Sequence, residues 1–105
     1  MKPVRLRPAA RGDVLAVAAH YREDSGLGIA LAFTDALQRA LHSILEDPDI
    51  GAPGYAHILD VPGLRVLSLR RFPLLVAYRE TRSDIDVLRI LHAKRDIPAS
   101  LRPRT

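Results

Sequence analysis

The chain has 105 residues, a length that suits one core, and its 48% hydrophobic content is enough to fill one. There is no cysteine, which excludes disulfides, thiolate zinc sites and cysteine nucleophiles, and no apolar run approaches the ~20 residues that span a bilayer. Sixteen Lys and Arg against twelve Asp and Glu give a net charge of +4, carried almost wholly by arginine. That balance favours an acidic partner, either nucleic acid or an acidic protein segment, or else reflects composition alone.

Residues 3–7, PVRLR, form a short strand, and Pro8 turns the chain into a helix. Val14, Val17, Ala18 and Tyr21 then fall at helical spacing on one stripe, and this helix ends near Asp24. SGLG at 25–28 breaks the pattern, with Ser25 as the expected N-cap of a second helix. Ile29, Phe33, Leu37, Leu41, Ile44 and Leu45 keep the period in that helix. Ala30, Ala32, Ala36 and Ala40 permit close approach of the first, so the two read as an antiparallel hairpin that stops at Pro48. Residues 48–63 form a loop with a possible short strand at 56–60.

The last third alternates strand and turn: LRVLSL at 64–69, LLVAYRE at 74–80 and IDVLRIL at 85–91, broken by RFP and TRSD. LLVAY has no polar alternation, which places it centrally with both faces covered. Short connections make the three an antiparallel meander. The predicted fold is α+β, order β-α-α-β-β-β, a helical hairpin packed on a small, mainly antiparallel sheet. Phe33, Leu37, Leu41, Leu75, Tyr78, Leu88 and Ile90 are the expected structural residues. Residues 1–97 form the expected domain and 98–105 a basic C-terminal tail. The first residues lack the apolar segment of a signal peptide, so a cytoplasmic location is expected.

The words DVLAVAAHYRED, IALAFTDALQRAL, DPDIGAPG, LRVLSLRRFPLLVAYRE and LRILHAKRDI, in this order over about residues 4–97, resemble the ParE branch of the ParE/RelE toxin superfamily. The resemblance implies a bacterial toxin of a type II toxin-antitoxin system, neutralised by a cognate antitoxin that is acidic and folds as it binds. ParE-like members act on DNA gyrase and so block replication. The alternative is a RelE-like messenger-RNA endoribonuclease, or a non-toxic interaction module of the same fold.

Ribonuclease relatives commonly supply a tyrosine near the C-terminus, whereas after HAKRD this chain reads IPASLRPRT, with no Tyr, His, Lys or Glu. Were the chain a ribonuclease, Arg70, Arg95 and His92 would form its catalytic set. The reading favoured here makes Arg70, Arg71, Arg79 and Arg95 contacts for a protein partner, with no direct nucleic-acid binding. Each also has a plainer role: arginines are ordinary at exposed turns, His92 ends an apolar strand, and Arg95 and Asp96 can pair or cap the chain's exit from the sheet. His20, His42 and His57 lack metal-ligand spacing, and no phosphate loop follows Gly26 and Gly28, so no metal or cofactor is expected.

Overall fold

The structure, a computed structural model, describes residues 2–53 and 60–97. The elements run β1 (Val4–Leu6), α1 (Pro8–Ser25), α2 (Leu27–Glu46), β2 (Arg65–Ser68), β3 (Leu74–Glu80) and β4 (Ile85–His92). They form a hairpin of two helices against one four-stranded sheet with the order β1-β4-β3-β2. The β2–β3 and β3–β4 ladders are antiparallel, and β1 lies parallel to β4, so the sheet is mixed. Most of the strand expected at 56–60, and the tail 98–105, lie outside the described residues; Asp60 sits in a turn. No helix among the described residues is long and apolar enough to cross a membrane.

Local chemistry explains the boundaries. Pro8 opens α1, where its missing N–H costs nothing. Ser25 does not cap α2; it is still helical at the end of α1. Gly26 alone joins the helices, at φ 91°, a backbone state that disfavours any residue with a Cβ. A one-residue joint leaves no room for a separate side-chain cap. In the TRSD turn the Thr81 hydroxyl accepts the Ser83 and Asp84 amides, at 3.3 and 3.0 Å, and so closes the β3–β4 connection.

Central strand β3 is buried on both faces. Leu74, Val76 and Tyr78 point to the hairpin, where they meet Phe33, Leu37 and Ile44 of α2 and Val87 and Ile90 of β4. Leu75 and Ala77 point the other way, to a smaller cluster with Leu64, Val66, Leu91 and Ile97. Leu41 and Leu88 are only partly buried, one against each cluster. Of the helix 2 stripe, Ile29 is exposed, and buried Ala30 and Ala40 share the inward face with Phe33. Ala77 pairs with Arg89 and Tyr78 with Val87, so Leu88 is an extra residue in β4. This bulge shifts the side-chain alternation and returns Ile90 to the hairpin face.

Two side-chain devices tie the layers. The Tyr78 hydroxyl accepts the Gly51 N–H at 2.9 Å and donates to the Pro48 carbonyl at 2.7 Å, which holds the loop after α2 against the sheet. A Cβ at Gly51 would lie 2.6 Å from that hydroxyl, so the position admits only glycine without movement. Tyr78→Phe leaves the Gly51 N–H without its acceptor and is expected to cost about 1–3 kcal/mol in denaturant unfolding. Gly51→Ala should destabilise as well, also in the Tyr78→Phe background, because the added Cβ would still meet the ring carbons at 2.7 and 3.0 Å.

The second device is a pair of sequestered carboxylates. Asp86 receives Arg7 through a fork of hydrogen bonds, the shortest 2.8 Å, and Arg79 from the facing position of β3 at 3.3 Å. On α1, Asp13 receives the Arg89 guanidinium at 2.8 and 2.9 Å and the Ile90 N–H at 2.9 Å, beyond the point where short β1 stops covering β4. The Arg7 hydrogen bond, aided by the charges of Arg7 and Arg79, holds Asp86 below the ordinary carboxylate range against its burial. Burial pushes Asp13 up, but the Arg89 and Ile90 bonds together outweigh it and hold this carboxyl low too.

Both groups therefore take up protons more readily when the chain unfolds. Their stabilisation is complete above the unfolded value of about 4 and is lost as pH falls through the lower folded values. The melting temperature should hold steady from neutral pH to about pH 5 and drop below about pH 4. In Asp13→Asn and Asp86→Asn, which start lower, the acid limb should be shallower.

Candidate partner-binding site

Strand pairing sets Leu74 opposite His92, so the β2–β3 turn and the end of β4 meet at one end of the sheet. The turn is tight: the Leu69 N–H donates to the Leu74 carbonyl at 2.9 Å. Arg71 adopts φ 69° there, a left-handed state that costs a non-glycine residue about 1 kcal/mol. Arg70 and Arg71 are both exposed. Behind them Phe72 packs edge-on to Tyr21 of α1 and Phe33 of α2, with ring centroids 5.3 and 6.0 Å apart. This aromatic trio anchors the turn to the helical hairpin.

The HAKRD segment is clasped by its own side chains. The Asp96 carboxylate accepts the His92 N–H at 2.6 Å, and the Asp96 N–H donates to the His92 carbonyl at 2.9 Å. His92 Nδ1 accepts the Lys94 and Arg95 amides at 3.1 and 3.2 Å. The Ala93 N–H donates to the Pro73 carbonyl at 2.9 Å and so lays the turn over the start of β3. Asp96 thus works as a cap on the strand end. With both amides on Nδ1, that nitrogen has no lone pair left for general-base work.

Two grooves flank the aromatic trio. One, of about 540 Å³, lies between α1 and the sheet end and is lined by Val17, His20, Tyr21, Leu74, His92 and Arg95. The other, of about 270 Å³, lies on the α2 side and is lined by Asp35, Arg39, Arg70, Arg71 and Phe72. Burial raises the Tyr21 hydroxyl's pKa, with the nearby Arg95 charge pulling the other way. The candidate catalytic set is therefore divided, with His92 and Arg95 in one groove and Arg70 in the other.

Arg79 stands apart, at the opposite end of β3, bound to Asp86. Most other arginines are likewise engaged: Arg5 with Asp84, Arg7 with Asp86, Arg39 with Asp35, Arg65 with Asp49 and Arg89 with Asp13. Among the described residues, Arg70, Arg71 and Arg95 pair with no carboxylate. The described residues contain no cluster of ligands able to hold a metal ion. Sequence reading missed Tyr21 and His20 as groove walls. Tyr21 was visible only as the last residue of the α1 stripe, and the groove it borders is closed by strands more than fifty positions away.

A third concavity, of about 650 Å³, runs along the outer face of the hairpin between Leu15, Ala19, Leu27 and Leu31. Leu15, Leu27 and Leu31 are 72%, 58% and 59% exposed, an unusual concentration of large apolar side chains on two neighbouring helices.

The family profile described as ParE toxin of type II toxin-antitoxin system, parDE, matches residues 4–97. A solved structure described as the chromosomal ParDE TA system from P. aeruginosa superposes with a TM-score of 0.72 at 26% identity, covering 88% of this chain and 96% of that one. No curated protein sequence matches. The order of elements, the helical hairpin on a mixed sheet and a profile match across nearly the whole chain agree: this protein belongs to the ParE toxin family of type II toxin-antitoxin systems.

Proposed function

We propose that the protein is a growth-arresting toxin that acts in the cytoplasm on DNA gyrase and is neutralised by a cognate antitoxin. The observation that carries the reading is the division of its arginines. Arg5, Arg7, Arg79 and Arg89 are bound to carboxylates, while Arg70, Arg71 and Arg95, about the β2–β3 turn and the end of β4, pair with none among the described residues. Unpaired, exposed guanidinium groups held by a rigid frame suit an acidic protein surface and speed its approach. Arg79 is bound to Asp86, a carboxylate it shares with Arg7, and is assigned a structural role.

The apolar groove on the outer face of the hairpin is the natural seat of an antitoxin segment that folds on binding, since the exposed leucines reward an amphipathic helix. The solved relative, part of a ParDE TA system, supports an antitoxin partner. The ribonuclease alternative needs an acid and a base beside the arginines. His92 Nδ1 is occupied by two amides, and Arg70 lies in a different groove from His92 and Arg95.

Induction without antitoxin distinguishes the readings. Gyrase inhibition predicts filamentous cells, a DNA-damage response and loss of supercoiling with intact transcripts. Early translational arrest with cut messenger RNA would instead establish the ribonuclease, and normal growth would establish a non-toxic module.

A further inference from the structure

The groove that holds Arg95 differs in kind from the rest of the basic end. Its floor is apolar, built from Ala16 and Val17 of α1 with Leu74 of β3, and its rim carries Tyr21 and Arg95. The clasp of His92 and Asp96 on the backbone of residues 92–96 fixes where Arg95 leaves the sheet. One guanidinium that pairs with no carboxylate therefore lines about 540 Å³ of space whose other walls are half apolar, room for one large side chain.

Resting on the reading of this end as a partner surface, we propose that this groove is a pocket for an acidic peptide segment, taking one aromatic or large aliphatic side chain while a neighbouring carboxylate meets Arg95. Charge complementarity selects the acid and the apolar floor selects the anchor. A nucleic-acid strand fits less well. It needs a continuous track of cations, whereas Arg70 and Arg71 lie in the other groove, across the aromatic trio.

The test uses the intact protein and three labelled probes: a random glutamate-tyrosine copolymer, a glutamate homopolymer of equal length and a single-stranded oligodeoxynucleotide. The copolymer should bind about tenfold tighter than the homopolymer, a factor worth about 1.4 kcal/mol. Arg95→Glu should remove copolymer binding, and Arg82→Glu, at an exposed turn at the other end of the sheet, should not. Ala16 is exposed on α1, so Ala16→Gln should fold normally and, by filling the floor, erase the preference for the copolymer while sparing the homopolymer. Equal binding of the two polymers, indifference to Arg95→Glu, or tighter binding of the oligonucleotide would each overturn the proposal. None of these results depends on growth arrest, so failure here leaves the gyrase reading to its own test.

Discussion

Phe33→Ala is expected to destabilise the protein by about 3–5 kcal/mol in urea or guanidinium unfolding, the largest loss of any single side chain considered. Phe33 has no solvent exposure and lies in the main core. Its ring sits 5.9 Å from Tyr21 and 6.0 Å from Phe72, so truncation opens a cavity and removes two aromatic contacts together. The effect should reach the surface as well. Phe72 leads into the turn of Arg70 and Arg71, and Tyr21 walls the Arg95 groove, so both lose their common support. Phe33→Leu, which keeps most of the volume, should cost less than half as much and still weaken partner binding. A loss for Phe33→Ala near 1 kcal/mol would mean that the core does not close around this ring.

The second large effect concerns function and leaves stability nearly untouched. Reversing Arg70, Arg71 and Arg95 together to glutamate should weaken binding of an acidic partner by about 100-fold or more at low salt, with most of the difference gone at high salt. These three arginines have no carboxylate partner to lose, so the melting temperature should move by only a few degrees. Arg79→Glu should show the opposite pattern. It places a second acid against Asp86 and should lower stability, with little direct effect on the distant arginine end. Isothermal titration of the purified variants against the cognate antitoxin, beside thermal melts, separates the two patterns.

The order of elements was legible because each rests on a local signal. Pro8 starts α1, and the Phe33–Leu37–Ile44 spacing marks the buried face of α2. The unbroken apolar run of LLVAY marks a strand covered on both sides. What escaped the reading depends on pairs far apart in the chain. β1 is only three residues long, and its parallel partner lies about eighty positions away. Asp13 and Asp86 look like ordinary polar residues until Arg89 and Arg7 arrive from 76 and 79 positions away. The bulge at Leu88 leaves no mark in a strand that is apolar on both faces.

The arginines show the same division. Arg70, Arg71 and Arg79 each border an apolar strand, so nothing local distinguishes Arg79, bound to Asp86, from Arg70 and Arg71, which pair with no carboxylate. Leu15, Leu27 and Leu31 lie off the buried stripes, and only the hairpin geometry shows that they share one outward groove.

The most direct measurement is a DNA supercoiling assay with purified gyrase, the wild-type protein and the Arg70, Arg71, Arg95 triple glutamate variant, run beside an RNA-cleavage assay on the same preparations. The account predicts inhibition of supercoiling by the wild type, relief by antitoxin, loss of inhibition in the triple variant, and intact RNA throughout. Undiminished supercoiling with cut RNA, or equal inhibition by the triple variant, would contradict it.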